Sequence, residues 1–288
     1  MGGETRRAVQ LQPDWLRDLH VAQRLPEGAE VVFTGCGTSF HAAQTGGRAI
    51  QALEAVLAPP AADLLVCISH EGSTPLTLEA ARAFHGPVWL VTGKPDSPLG
   101  ELAEEVIVCT PELERSWCHT ASYTCAVAAL AALRGEDTAW LAGAVEGALG
   151  VDQAVPTQAK ICVAGAGRDW PTAQEAVLKL REGAWVSAGA HHTEQLLHGH
   201  LAAIDETVRA YVLEGEGRAA ERAQDAVAAL RELGCETTLV PTRHPVVDIV
   251  HFQRLAVAIA DARGRNPDRI RRDDPRWAAA AAAAKAEA

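Results

Sequence analysis

Short apolar runs alternate with longer stretches of helical spacing along most of the chain. LQPDWLRDLHVAQRL (11–25) carries apolar residues three and four apart and predicts an amphipathic helix. VVFTG (31–35) predicts a buried strand, and HAAQTGGRAIQALEAV (41–56) returns to helical spacing despite its glycines. DLLVCIS (63–69) predicts a second strand, and TPLTLEAARAFHG (74–86) a helix closed by Gly86. PVWLVTG (87–93) and EEVIVCT (104–110) predict two more strands, and HTASYTCAVAALAAL (119–133) a long apolar helix. Strands that are apolar throughout and alternate with helices indicate a parallel sheet covered on both faces.

The pattern then repeats. KICVAGAGRDWPTAQEAVLKLREGAW (160–185) follows the same strand-turn-helix logic as the first strand, so that Gly35-x-Gly37 recurs as Gly165-x-Gly167. TVRAYVLE (207–214) and ETTLVP (236–241) predict further strands, with helices over 218–233 and 246–262. Two α/β units follow, 1–148 and 149–288, with a linker in the last dozen residues of 141–160. The alanine-rich tail (277–288) predicts a frayed helix with no function read into it.

Composition narrows the class. The chain has 288 residues, 48% hydrophobic and 22% charged, which suits two modest soluble domains. No apolar run reaches the roughly 18 residues of a membrane span, and the N-terminus lacks a signal-peptide core. Seven cysteines, none in a CxxC pair, sit mostly in apolar stretches, as reduced core thiols of a cytoplasmic protein do. The net charge is −11, and RNPDRIRR is the one basic block, which argues against a nucleic-acid partner. An anionic substrate would need a local site, because the overall field repels it.

The Gly35-Cys36-Gly37 turn invites comparison with the dinucleotide fingerprint, whose third glycine lets the helix pack on the strand. Phe40 and Trp170 stand at that third position in the two units, and both are bulky. No nicotinamide or other cofactor is expected. Thr38 and Ser39 instead place two hydroxyls beside the backbone N–H groups of a helix N-terminus, a small anion site. Ser69-His70-Glu71-Gly72-Ser73-Thr74 makes a second such turn after the next strand, able to converge on the first at the carboxyl edge of the sheet. The plainer reading makes Ser39 and Thr74 mere helix caps.

"GCGTS" and "SHEGST" resemble the G-x-G-[TS]-S and S-x-S-G-x-T phosphate-binding patterns of the SIS (sugar isomerase) domain. "EAVLKLREGAWVSAGAHHTEQLLHGHLAAID" is similar to the isomerase half of the glucosamine-6-phosphate synthase family. The resemblance spans about 25–272 and implies an α/β fold of two SIS-type doubly wound units, each a mostly parallel sheet flanked by helices. It places substrate contacts at Gly37, Thr38, Ser39, Ser69, His70, Glu71, Ser73, Thr74 and Thr120. With no glutaminase domain ahead of these units, glutamine-driven amide transfer is not expected.

Glu175, Lys179 and Glu182 fall at i, i+4 and i+7 on one helix face. By spacing alone they form a solvated stripe of ion pairs. Their helix is otherwise apolar, however, and the family has the same residues there. The resemblance implies that Glu182 moves a proton between C1 and C2 of an open-chain sugar, with Lys179 and Glu175 orienting it or binding hydroxyls. It further implies that His198, sixteen residues on, opens the sugar ring, and that its loop crosses to a second subunit of a homodimer with the site near the interface. His191, His192, His198, His200 and Glu194 are dense enough to suggest a metal, but no HExxH motif is present and none is expected.

Three departures stand out. Glu71 replaces the family's serine, and a carboxylate facing a phosphate is repulsive. The tail NPDRIRRDDPRW (266–277) lacks the family's lysine and offers Arg269, Arg271 and Arg272, which cannot form a Schiff base; Arg272 is the candidate contact. Trp117 and His119 replace the residues before Thr120. The leading reading is an isomerase acting on a sugar phosphate or amino sugar. The alternatives are a fructosamine-type deglycase or lyase, which would give Glu71 a cationic partner, and a non-catalytic sugar sensor. Sensors of this kind usually carry a helix-turn-helix domain, for which the first 30 residues leave no room.

Overall fold

The computed structural model describes residues 2–284. In chain order the elements are α1 (Gly3–Asp18), β1 (Val31–Gly35), α2 (Thr38–Gly46), β2 (Ala49–Gln51), α3 (Ala52–Leu57), β3 (Leu64–Ile68), α4 (Pro75–Ala83), β4 (Val88–Thr92), β5 (Glu105–Val108), α5 (Ala121–Leu133) and α6 (Leu141–Leu149). They continue with β6 (Lys160–Gly165), α7 (Trp170–Ala184), β7 (Ser187–His192), α8 (Thr193–Leu197), β8 (Val208–Leu213), α9 (Arg218–Glu232), β9 (Glu236–Val240), α10 (Pro245–Ala262) and α11 (Pro275–Ala283). Part of the tail read as a frayed helix, 285–288, lies outside the described residues.

Two parallel sheets result. The first runs β2-β1-β3-β4-β5 and the second β7-β6-β8-β9. Strand order reverses beside β1, so that the loops after β1 and β3 diverge to opposite faces and leave a crevice at their carboxyl ends. Every residue of α5 is buried, as expected of a helix that is apolar all round. One apolar core joins residues of both halves, from Phe33 and Ile68 through Leu130 to Leu180, Tyr211 and Phe252.

The predicted helix over 41–56 is broken. Gly46 lies flat on Phe33, where a Cβ would sit 2.7 Å from the ring, and Gly47 turns the chain at φ +146°. The chain then enters β2, a short edge strand beside β1. Edge strand β7 (SAGAHH) pairs with β6 although its small and polar residues carry no apolar signal. The first helix ends at Asp18 and begins at Gly3, not over 11–25. Its buried face includes Thr5 and Gln12, polar residues that hid the stripe. Both are satisfied across the fold. Thr5 Oγ1 donates to Asp268 at 2.8 Å, and Gln12 Nε2 donates to Gln253 at 2.8 Å.

Candidate active site

The crevice beside β1 holds a cavity of about 580 Å³, ample for a monosaccharide. Two turns form its rim. Gly35 permits the first: a Cβ there would lie 2.9 Å from the Ser39 backbone and 3.0 Å from the Ile68 carbonyl. Gly37 (φ +53°) precedes α2, whose first residues Thr38 and Ser39 line the cavity. The Ser39 N–H is already given to the Cys36 carbonyl at 3.1 Å, so the turn offers fewer free amides than its sequence suggests. The second turn brings His70, Glu71, Ser73 and Thr74 to the cavity. Thr74 occupies the cap position of α4, but its side chain makes no capping bond; its hydroxyl lies 3.0 Å from that of Ser69.

Helix α7 supplies the charged floor. Glu175 and Lys179 have fully buried side chains, and Glu182, 23% exposed, reaches the cavity. The stripe is thus no solvated surface. The Lys179 ammonium has three donors and three acceptors: Thr38 Oγ1 at 3.1 Å, Glu175 Oε1 at 3.3 Å and Glu182 Oε2 at 2.7 Å. Glu175 also accepts from His41 Nδ1 at 2.7 Å and from Thr38 Oγ1 at 3.2 Å. Burial works to raise the Glu175 pKa, but Lys179 and His41 outweigh it and hold the carboxyl below its ordinary value. For Lys179 burial is likewise outweighed, by the two glutamates, and the ammonium is held well above the usual range. Glu182 goes the other way: burial dominates, Lys179 offsets only part of it, and the carboxyl is raised. One helix face therefore holds two carboxylates whose environments push them apart, a usual sign of divided acid-base roles.

The opposite wall comes from 114–123. Glu114 is buried, and its carboxylate accepts from the Thr120 amide at 2.8 Å and hydroxyl at 2.9 Å, and from the Ser122 amide at 2.9 Å and hydroxyl at 2.8 Å. Its own N–H donates to His70 Nε2 at 2.9 Å. These bonds fix Trp117, His119 and Ser122 against the cavity. Burial, with His119 adding to it, pushes His70 down to about 4. Burial, with Lys179 adding to it, pushes His119 down to about 4 as well. Both rings are therefore neutral near pH 7. Ile270 closes the outer edge, in a left-handed turn at φ +43°.

No family model matches the chain. Its sequence is similar to the isomerizing glutamine–fructose-6-phosphate aminotransferases of Gloeobacter violaceus (26% identity, 84% of this chain and 50% of that protein) and Symbiobacterium thermophilum (28%, 84% and 50%). The chain spans about half the length of the curated relatives it matches. In structure it is similar to the C-terminal domain of glucosamine-fructose-6-phosphate aminotransferase from Francisella tularensis (TM-score 0.82, 18% identity, 93% of this chain and 98% of that one). It is also similar to tagatose-6-phosphate ketose/aldose isomerase from Escherichia coli (TM-score 0.76, 18%, 93% and 95%). The chain has the double-SIS fold. Its sequence resembles the isomerase half of the aminotransferases.

Not every residue expected at this double-SIS site reaches the cavity. Gly37, Thr38, Ser39, His70, Glu71, Ser73, Thr74 and Glu182 line it, with Lys179 and Glu175 directly behind Glu182. Ser69 and Thr120 are buried behind the wall, where they hold Thr74 and Glu114. Arg272 does not line the cavity; its guanidinium lies 4.5 Å from the Trp117 ring, with Arg269 at 5.0 Å. His198 lies outside the cavity of its own chain, 71% exposed and paired with Glu194 at 2.7 Å. Among the described residues no group of three His, Cys, Asp or Glu side chains is placed to hold a metal ion. The histidine-rich segment is spread out instead, with His192 stacked on Trp170 at 3.8 Å and His191 beside His200. His41 and Tyr123 were not anticipated. His41 sits one turn past Thr38, and that spacing is the only signal that could have found it.

Proposed function

We propose that this chain is an aldose-ketose isomerase acting on a sugar derivative, with Glu182 as the base. The observation that carries the reading is Glu182 itself: a carboxylate raised by burial, at the floor of a sugar-sized cavity, 2.7 Å from a saturated buried ammonium. The ionised form accepts the C2 proton of an open-chain aldose as O1 gains a proton, giving an enediol, and returns it to C1 as the O2 hydroxyl gives its proton up. Lys179 keeps that form accessible and fixes the carboxylate; its three donors are committed, so it orients Glu182 and is not itself the shuttle. Thr38 and Glu175 hold Lys179 in turn. The names of the relatives, an isomerizing aminotransferase and a ketose/aldose isomerase, support an isomerase reading.

His198 has no part in the cavity of its own chain, and this reading gives it a place in the cavity of a second copy. Its exposure and its position at the end of α8 support that role. The test of the reading is Glu182→Gln. Turnover of the responsive sugar is expected to fall by about 10²–10⁴ while ligand affinity stays within a few fold. Unchanged turnover would remove Glu182 from the mechanism.

A further inference from the structure

The cavity offers hydroxyls at the starts of two helices, which can meet an anion, but no cation among the described residues. No lysine or arginine lines it among the described residues. The nearest ammonium, Lys179, has its three donors taken by Thr38, Glu175 and Glu182. Arg269 and Arg272 are stacked on Trp117 and do not line the cavity. The two lining histidines are neutral near pH 7 and add no positive charge. Two glutamates do line it, Glu71 at its exposed rim and Glu182 at its floor.

Glu71 sits three residues before the cap of α4, where the positive end of the helix dipole favours an anion. A side chain of the protein thus brings negative charge to a place that could otherwise take a phosphate. The wall opposite is an acceptor too. The Ser122 hydroxyl donates to Glu114, so at 3.2 Å it can only accept from His119 Nδ1–H. That bond fixes the tautomer and leaves Nε2 as a bare lone pair on the edge of the ring turned away from Ser122. His119 is 30% exposed and lines the cavity. Glu71, His119 and Glu182 thus add acceptors and negative charge to a lining of hydroxyls that holds no cation among the described residues, within a chain of net charge −11.

We infer that the cavity is built for an unphosphorylated sugar bearing a protonated amine, with Glu71 as the residue that favours the ammonium and disfavours a phosphate. Substrate hydroxyls donate to His119 Nε2, and the ring or chain lies between the two rim turns. This inference rests on the isomerase reading for the sugar part of the ligand; the charge preference stands on the lining alone.

The test is calorimetric titration of the full chain near neutral pH with glucose, glucosamine, glucosamine 6-phosphate and inorganic phosphate. Glucosamine is expected to bind about tenfold more tightly than glucose, a difference of about 1.4 kcal/mol. The 6-phosphate is expected to bind more weakly than glucosamine, and inorganic phosphate not measurably. Glu71→Ser, a change at an exposed position, should reverse the order: the 6-phosphate gains and glucosamine loses affinity. Tighter binding of the 6-phosphate by the wild type would overturn the inference. So would a Glu71→Ser variant, shown folded by its melting curve, with unaltered preferences, or a wild type that fails to bind glucosamine. None of these outcomes decides whether Glu182 moves a proton, which turnover of Glu182→Gln measures separately.

Discussion

Glu182 and Glu175 are seven residues apart on one helix, yet their carboxyls are shifted in opposite directions. The cause is the local partner count. Glu175 is fully enclosed by donors, whereas Glu182 has one ammonium and an opening to the cavity. Two pH effects follow. As base, Glu182 must be ionised, so kcat/KM is expected to fall as pH drops through a value above the ordinary glutamate range. Lys179→Met removes the cation that lowers the Glu182 pKa and should move this acid limb to still higher pH, readable in the pH-rate profile. The same change leaves buried carboxylates uncompensated and should cost about 3–5 kcal/mol in stability, measurable by denaturant unfolding. Glu175 acts on stability rather than turnover, and its effect is also lost on the acid side. Its folded pKa lies below its unfolded value, so its contribution is complete above the ordinary carboxylate range and is lost as pH falls through the folded value. At this scale much of the site was readable in the sequence: Thr38, Glu71, Lys179 and Glu182 stand in or directly behind the cavity, as their motifs implied. The charge states were not, because they depend on His41 and Thr38 arriving from another helix.

Among the elements, the segment 109–120 carries structural weight without regular structure. Glu114 takes the orphan amides ahead of α5 and at its first turn, and ties them to His70 through its own N–H. Glu114→Gln turns an acceptor-only group into one that must donate toward four donors. A loss of about 3 kcal/mol is expected, seen as a lower melting temperature, together with weaker ligand binding as Trp117 and His119 lose their anchor. Unaltered binding would show that the wall keeps its shape without this carboxylate. The elements β1, β3, β4, β6, β8 and α5 were readable from pattern, because each is buried along most of its length and so mostly apolar. The edge strands β2 and β7 and helix α1 were not. The edge strands β5 and β9 carry enough apolar residues to be read, but β2 is only three residues long and β7 is built of small and polar ones, and α1 buries polar residues whose partners lie more than a hundred positions away. The sequence also left Arg272 and Thr120 as contacts, whereas stacking on Trp117 and bonding to Glu114 place both behind the wall.

Across the whole molecule, the cavity is a product of both halves. The first sheet supplies the rim turns, α7 of the second half supplies the base, and Thr38 joins them through Lys179. One apolar core continues across both sheets at that junction. The proposed role of His198 in a second copy is open to a direct check. Glu182→Gln and His198→Asn chains, each inactive alone, should regain up to about a quarter of the wild-type activity when mixed as hybrids, because one cavity in the heterodimer has both groups intact. Hybrids without activity would confine the chemistry to one chain or remove His198 from it. The central claim, that Glu182 moves a proton between adjacent carbons of a sugar, is tested most directly by hydrogen exchange. The responsive sugar, incubated with the protein in deuterium oxide and followed by NMR, is expected to gain deuterium at C1 or C2 with the wild type. With Glu182→Gln it should bind and gain none. Exchange at the wild-type rate in that variant would contradict the account.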